Sequence, residues 1–163
     1  IKVEIYTDGS STGKVGAGGW AYVVVENGST VREDYDGADN TTNNRMELQA
    51  VIEAVRHAHC TYTDPVTIWC DSQYVVKGIN EWWPKWKEKL ERGKKIKNQD
   101  LWVDLRALID SYNNVELKWI RGHDGNCFNE RCDFLAKKGK LEVQDHARQL
   151  SKIQSKSASD SKI

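Results

Sequence analysis

The sequence predicts an α/β fold in which a mixed five-stranded sheet, an antiparallel meander plus parallel strands, is flanked by helices. Two observations predict it. The first third of the chain contains three consecutive strand-like segments joined by glycine-containing turns, and the remainder alternates between helical and strand-like periodicity. Such an order is typical of a sheet with helices packed on it. At 163 residues the chain fits one domain with a sizeable core.

The three N-terminal segments predict the antiparallel meander. Residues 2–8 alternate apolar and polar side chains, residues 20–26 form an apolar run, and residues 30–35 form a third strand. The pair Asn27 and Gly28 separates the second segment from the third, and this dipeptide is a strong hairpin signal.

From Asn43 onward the pattern predicts helices and strands in alternation. Four apolar residues after Asn43 have the spacing of one helix face, namely Leu48, Val51, Ile52 and Val55. Residues 66–70 form a short continuous apolar run, as expected for a strand that is buried on both faces. The later predicted elements are a helix after Asp71, a helix over 101–112, a strand over 115–120 and a final helix that carries Cys132, Leu135 and Ala136.

The composition sets limits on partners and location. The chain has 24 basic residues (Lys and Arg) and 24 acidic ones (Asp and Glu), so its formal net charge is zero. Affinity for a polyanion must therefore come from a local patch. Residues 85–97 supply one, with seven basic and two acidic residues and a net charge of +5. Without a signal sequence or membrane-spanning run, we expect a cytoplasmic protein with no membrane partner. The domain is expected over residues 1–140 and a polar, disordered tail over residues 141–163.

The four cysteines form no Cys-x-x-Cys pair, and a chain of this length does not need disulfides for stability. We therefore expect reduced thiols that pack as small core residues. A zinc site formed by His123, Cys127 and Cys132 is a weaker alternative, because their spacing fits no common zinc motif.

Four acidic residues occupy the ends or starts of separate predicted elements. Asp8 and Asp71 each follow a strand, and parallel neighbouring strands would bring both to the same carboxyl edge of the sheet. Glu47 lies near the start of a helix, and Asp133 lies on the last helix. Taken singly, each has an ordinary explanation as a turn, cap or surface residue. Together they predict one site, where repulsion of about 4 kcal/mol per close pair favours bound divalent cations.

Six segments of the chain together resemble type 1 ribonuclease H, and they occur in the family order over about residues 2–139. They are Thr7-Asp8-Gly9-Ser10, residues 41–48, residues 71–75, residues 98–102, Gly122-His123 and residues 129–133. The resemblance implies the ribonuclease H-like fold. It also implies an endoribonuclease that hydrolyses the RNA strand of RNA–DNA hybrids and leaves 5′-phosphate and 3′-hydroxyl ends.

The resemblance further implies a two-metal-ion mechanism with two Mg2+ ions per site, which Mn2+ can replace. The residues that match the family's metal-binding and catalytic acids are Asp8, Glu47, Asp71 and Asp133. His123 matches the family's histidine, which would assist proton transfer or product departure. A lone loop histidine is otherwise most often a solvated surface residue.

Recognition of the hybrid is implied at two sets of positions near the acids. Asn44 and Gln73, with Glu47, match the family's contacts to the RNA strand, and their amides suit a 2′-hydroxyl. Thr42 and Asn43 match a binding site for a phosphate of the DNA strand. The alternative for these short polar residues is local capping of the helices that they begin.

Residues 81–98 resemble the basic protrusion of some family members, which contacts the DNA strand. Its predicted DNA-binding residues, together with a tryptophan from the next helix, are Trp82, Trp86, Lys87, Lys89, Lys94, Lys95 and Trp102. The alternative is that the tryptophans are partly core residues and the lysines a solvated helix face.

Part of the chain departs from the family pattern. Residues 10–15 differ from the Cys/Asn-containing versions of many bacterial members, so no side-chain roles are assigned there. Competing hypotheses are a DNA-cutting nuclease of the same fold, resembling a resolvase or integrase, a non-catalytic hybrid-binding module, and a domain from a reverse transcriptase. We expect a monomer that requires no protein partner.

Overall fold

A five-stranded mixed sheet forms the centre of the computed structural model, which describes the backbone of residues 1–160 and the side chains through residue 158. The strands are β1 (Val3–Ser11), β2 (Gly16–Glu26), β3 (Ser29–Thr41), β4 (Val66–Cys70) and β5 (Val115–Trp119). Their order in the sheet is β3-β2-β1-β4-β5. β1, β2 and β3 pair antiparallel, whereas β4 pairs in parallel with both β1 and β5. The predicted meander and mixed sheet are therefore confirmed.

Five α-helices and one π-helical turn complete the described chain. They are α1 (Asn43–Thr61), α2 (Gln73–Lys77), the π-helical turn (Gly78–Trp82), α3 (Trp83–Glu91), α4 (Gln99–Ser111) and α5 (Cys127–Asp160). Thr42 begins α1 as its N-cap, because its hydroxyl accepts a hydrogen bond from Arg45 N. Ser72 begins α2 in the same way, with its hydroxyl accepting from Val75 N.

The sheet has a hydrophobic core on each face. Alternation along β1 directs Ile5 into one core, which includes Leu48 of α1 and Trp102 of α4. It directs Tyr6 into the other core, which includes Leu135 of α5. Helices α1, α2 and α4 therefore lie on one face of the sheet and α5 on the opposite face.

Glycines let α5 lie directly on β2 and β3. A Cβ atom at Gly19 would collide with the carbonyl oxygen of Ala136, and one at Gly37 would lie 2.5 Å from the carbonyl oxygen of Gly139. Because backbone cannot yield as a flexible side chain can, larger residues at these positions would push α5 away from the sheet.

The predicted disordered tail is wrong for residues 141–160, because α5 continues without a break to Asp160. Two hydrogen bonds hold the first part of this extension: Tyr35 Oη donates to Glu142 Oε1 at 2.7 Å, and Gln144 Nε2 donates to Thr12 Oγ1 at 3.0 Å. The segment is polar, but its Leu, Gln, Lys, Arg and Ala residues are good helix formers. Residues 161–163 lie outside the described part of the chain.

All four cysteines are free. Cys132 is buried and its thiol donates to the carbonyl oxygen of Tyr6 at 3.1 Å, whereas Cys127 is exposed. His123, Cys127 and Cys132 form no metal-binding group among the described residues, so the zinc alternative finds no support. Within residues 1–160, none of the helices has both the length and the apolarity needed to cross a bilayer.

Candidate active site

Asp8 and Asp71 meet at one edge of the sheet. Thr7 of β1 pairs with Cys70 of β4 in parallel register, so the residue that follows each partner is an aspartate at the same level. Asp8 is only 5% exposed. The Trp119 indole donates from Nε1 to the carbonyl oxygen of Asp71 at 3.1 Å and so fixes the backbone there. This is the arrangement that the strand-ending aspartates predicted.

Glu47 reaches the same edge from the second turn of α1. The close approach depends on Gly9, because a Cβ atom there would collide with backbone atoms of Met46 and Glu47. A hydrogen bond joins the carboxyl groups of Glu47 and Asp8. The Cys70 thiol lies 4.0 Å from Glu47 Oε2, on the core side of that carboxyl group.

Asp133 completes the group from the opposite face of the sheet. It lies in the second turn of α5, and its carboxylate raises the pKa of both Asp8 and Asp71 by repulsion. Its side chain is 25% exposed and accepts a hydrogen bond from Lys137 Nζ at 3.0 Å. The structure therefore brings together all four acids that were predicted to share a site.

The electrostatics show how unfavourable this cluster is without counter-ions. Burial and the negative charge of Asp71 raise the pKa of Asp8 to about 7. Burial and the carboxylates of Asp8 and Asp71 raise the pKa of Glu47 well above its usual range. Burial, with repulsion from Asp133, also raises the pKa of Asp71. A proton held between Glu47 and Asp8 would relieve part of the repulsion.

The donor set fits divalent cations. Ligand atoms of Glu47, Cys70 and Asp71 all lie within 4.8 Å of one another, and Asp8 hydrogen bonds to Glu47 beside them. Carboxylate oxygens are hard ligands that suit Mg2+ and Mn2+, and a bound cation would remove the repulsion that raises their pKa values. The four acids could therefore hold the metal ions that the sequence predicted.

His123 lies in the loop between β5 and α5 with a backbone φ of +55°. Its imidazole is exposed and close enough to Asp71 to lower the pKa of that carboxyl group. The preceding Gly122 packs against Asp71, since a Cβ atom there would lie 2.8 Å from Asp71 Oδ2. The predicted histidine is thus beside the acids yet open to solvent.

The predicted RNA contacts lie on either side of the acids. Asn44 is half-buried in the first turn of α1, and Gln73 is exposed at the start of α2. Gln73 lines a surface pocket of about 260 Å³ together with Lys77 and Trp119. Asn44 lines a different pocket, of about 520 Å³, so each amide borders space that a ligand can occupy.

The predicted DNA-phosphate residues line the same pocket as Asn44, of about 520 Å³. Thr42 and Asn43 both have local partners, because Thr42 caps α1 and Asn43 Oδ1 accepts from Ser11 N at 2.7 Å. Lys14 and Lys97 line the same pocket. Sequence reasoning did not select these two cations as site residues, although Lys97 belongs to the basic stretch.

The three tryptophans that were predicted to bind DNA differ in their exposure to solvent. Trp82 is 37% exposed and Trp86 is half-buried, with their ring centroids 5.7 Å apart. Trp102 is fully buried beneath Trp86, and its Nε1 donates to Tyr74 Oη at 2.8 Å. The prediction that Trp102 contacts DNA is therefore wrong, because its ring belongs to the core and supports Trp86. The four predicted lysines are exposed, at Lys87, Lys89, Lys94 and Lys95.

An ion pair that was not predicted joins two helices near the site. Arg45 donates to both carboxylate oxygens of Asp100, at 2.9 and 2.7 Å. This bidentate pair ties the start of α1 to the start of α4. Both residues lie in segments that carry the family resemblance, but only the fold shows that they are partners.

Comparisons with known proteins agree with this geometry. The sequence profile of the family described as RNase H matches residues 1–140. A ribonuclease H from Thiobacillus denitrificans is 46% identical over 147 residues, which cover 88% of this chain and 97% of that protein.

Two solved structures show the same architecture. The crystal structure of LC9-RNase H1, a type 1 RNase H with the type 2 active-site motif, is 32% identical, with a TM-score of 0.71, covering 86% of this chain and 72% of the other. The crystal structure of LC11-RNase H1 in complex with RNA/DNA hybrid is 21% identical, with a TM-score of 0.68 over 88% of this chain and 99% of the other, and supports the fold alone.

Proposed function

The chain belongs to the type 1 ribonuclease H family, and from that premise we propose that it hydrolyses the RNA strand of RNA–DNA hybrids as a metal-dependent endonuclease. The observation that carries the proposal is the convergence of Asp8, Glu47, Asp71 and Asp133 at one sheet edge, with the pKa of the first three raised by burial and mutual repulsion. Such a cluster is costly for folding, and its chemical use is to hold divalent cations.

The proposed cofactor is a pair of Mg2+ ions, which Mn2+ can replace. When bound, the ions would neutralise charge on the scissile phosphate and activate a water for in-line attack, leaving 5′-phosphate and 3′-hydroxyl ends. Asp8, Asp71, Glu47 and Asp133 would hold the ions through carboxylate oxygens. Both Glu47 and Asp8 must be deprotonated to act as ligands.

His123 is the proposed group for proton transfer or product departure. Its imidazole is exposed and sits in a loop beside Asp71, so it can reach solvent and the acidic site from one position. An imidazole can accept or release a proton near neutral pH, which suits transfer to or from an oxygen of the phosphodiester.

Hybrid recognition is proposed to use both sides of the acidic edge. Asn44 and Gln73, with Glu47, would hydrogen bond the 2′-hydroxyl groups of the RNA strand. Thr42 and Asn43 would border the site of a DNA phosphate, in the pocket that Lys14 and Lys97 also line.

The protrusion would hold the DNA strand farther from the acids. Trp82 and Trp86 present aromatic surface, and the exposed ammonium groups beside them would contact phosphates; these belong to Lys87, Lys89, Lys94 and Lys95. The contacts with Trp102 would keep Trp86 in place beneath the strand.

We further propose that the protein acts as a monomer in the cytoplasm. One chain supplies all four acids, so the site needs no partner subunit. Four free cysteines also suit a reducing compartment.

The test is cleavage of an end-labelled RNA–DNA hybrid, compared with RNA duplex, DNA duplex and single-stranded RNA, each with Mg2+ and with chelator. The proposal expects metal-dependent cutting of the RNA strand in the hybrid alone. Cutting of duplex DNA would favour a resolvase-like or integrase-like nuclease of the same fold. Binding of the hybrid without cutting would favour a non-catalytic module.

A further inference from the structure

The outward face of α5 carries a row of cations that the proposed function does not use. Exposed residues recur along this face, each three or four positions from another member of the row: Phe134, Lys137, Lys138, Leu141, Asp145, Arg148, Lys152 and Lys156. Five of the eight are basic and one is acidic, which gives this row a net charge of +4 in a chain whose total formal charge is zero. We call these eight residues the α5 row.

The α5 row begins at the acidic cluster. Lys137 pairs with Asp133 at 3.0 Å. Asp133 also lines an open pocket of about 550 Å³ together with the first four residues of the row: Phe134, Lys137, Lys138 and Leu141. Apolar surface beside ammonium groups suits the sugar and phosphate groups of a nucleic-acid backbone.

Hydrogen bonds from the inner side of α5 keep the helix along the active-site edge of the sheet. Lys140 Nζ donates to Ser10 Oγ at 3.2 Å, and Gln144 Nε2 donates to Thr12 Oγ1 at 3.0 Å. Ser10 and Thr12 follow Asp8 closely in sequence, near the carboxyl end of β1. A helix rises about 1.5 Å per residue, so the distance from Asp133 to Lys156 is about 35 Å, or roughly ten base pairs of duplex.

The distal cations are available to a ligand. Arg148 has one exposed partner, Asp145, at 3.4 Å, and exposed pairs of this kind contribute little. Among the residues whose side chains are described, Lys152 and Lys156 make no ion pair. A row of exposed cations that starts at the proposed catalytic edge favours a polyanion that passes over that edge.

We propose that the α5 row binds the phosphate backbone of the nucleic-acid duplex where it extends beyond the cleavage site. This inference rests on the proposed function and adds a sequence-independent contact surface on the face of the sheet opposite the protrusion. It makes affinity depend on substrate length, because only a duplex that continues about ten base pairs past the acids can reach Lys156.

The test uses the full chain in the Asp8→Asn background, so that binding is measured without cleavage. The variant Lys152→Gln/Lys156→Gln removes two charges while Gln keeps helix propensity close to that of Lys. The matched controls are Lys152→Arg/Lys156→Arg, which keeps both charges, and Lys2→Gln, which removes a charge at the opposite edge of the sheet. Far-UV circular dichroism checks that α5 stays helical.

Affinity is measured by fluorescence anisotropy over a salt series, on a hybrid of about 8 base pairs and on one of about 24. On the long hybrid the glutamine variant is expected to lose about tenfold or more in affinity and up to about 1.8 units of salt slope, since each duplex phosphate contact contributes about 0.9. The short hybrid and both controls are expected to show no such loss.

Equal affinities of the glutamine variant and the parent on the long hybrid would overturn the inference, as would an equal loss on the short one. Anionic phosphatidylserine vesicles are tested in parallel, and charge-dependent binding to them without an effect on the long hybrid would assign the row to a membrane surface instead. These outcomes are separate from failure of the proposed function, which would appear as absence of hybrid cleavage by the unmodified chain.

Discussion

Asp8, within β1, and Asp71, directly after β4, occupy equivalent positions on two parallel neighbouring strands, because Thr7 and Cys70, which precede them, are partners in the register of β1 and β4. The sheet itself therefore fixes their separation. Helix α1 then brings Glu47 to the same edge, where it shares a hydrogen bond with Asp8. A site set by strand register is rigid, which suits ligands that must bind a cation with defined geometry.

Replacement of Asp8 by asparagine is expected to abolish turnover while hybrid binding is kept. The amide has nearly the same size as the carboxylate but cannot supply its negative charge to a metal ion. The measurement is single-turnover cleavage of the RNA strand alongside anisotropy binding, with the exposed Asp39→Asn as the charge-matched control. A variant at Asp8 that cut at the normal rate would remove this residue from the metal site.

The stability of the metal-free protein is expected to fall as pH rises between about 4 and 7. Burial and repulsion raise the pKa of Asp8 from its ordinary value of 3.8 to about 7, so in this window the folded chain holds a proton that the unfolded chain has released. Asp8→Asn removes the contribution of Asp8, on the order of a few kcal/mol, and should make the profile less steep, while the raised pKa values of Glu47 and Asp71 leave a smaller dependence in the same direction. Thermal unfolding with chelator from pH 5 to 7.5 measures it. The lowered pKa of His57 is common to both proteins and cancels in the comparison.

Addition of Mg2+ is expected to raise the unfolding temperature at pH 7.5, because a cation bound to the folded acids stabilises the folded state by mass action. Removal of the metal should abolish cleavage while far-UV circular dichroism stays unchanged, since two buried cores hold the fold without it. If chelation unfolded the protein, the metal would have a structural role instead.

Sequence reasoning succeeded where one local pattern determined the placement. An aspartate directly after a strand was expected at a sheet edge, and this holds for Asp71. The first strand was expected to end at Asp8 but continues to Ser11, and Asp8 still lies beside Asp71 because β1 and β4 are parallel neighbours. Sequence reasoning failed for Trp102, because the residue type is the same for a groove tryptophan and a core tryptophan. Only the tertiary contacts show the difference: Trp102 donates to Tyr74, and Gly78 leaves room for its ring.

The prediction for the C-terminal segment was wrong for a different reason. Low apolar content was interpreted as disorder, yet α5 is already nucleated by its packing on β2 and β3, and adding residues to an existing helix costs little. The bonds from Tyr35 to Glu142 and from Gln144 to Thr12 join residues more than 100 positions apart in sequence. A sequence pattern cannot show such pairs.

Conversion of Lys87, Lys89, Lys94 and Lys95 to alanine is expected to weaken hybrid binding and flatten its salt dependence. Each lost duplex phosphate contact should reduce the slope of log K against log salt by about 0.9. The four-arginine variant is the control, since it keeps every charge on the same helix and loop. A slope equal to that of the parent protein would mean that these lysines do not touch the substrate.

Trp82 of the protrusion and Trp102 of α4 should differ in effect, the first chiefly on binding and the second chiefly on stability. Trp102 is fully buried, so Trp102→Ala is expected to cost about 3–5 kcal/mol of unfolding free energy through the cavity that it leaves. Trp82 is 37% exposed, so Trp82→Ala should cost less unfolding free energy than Trp102→Ala and should weaken hybrid binding. Urea unfolding and anisotropy binding of both variants measure the two effects. Because Trp102 supports Trp86, Trp102→Ala should also weaken hybrid binding, as an indirect result of its lower stability. If Trp102→Ala kept normal stability and still lost binding, Trp102 would have to contact the DNA strand directly.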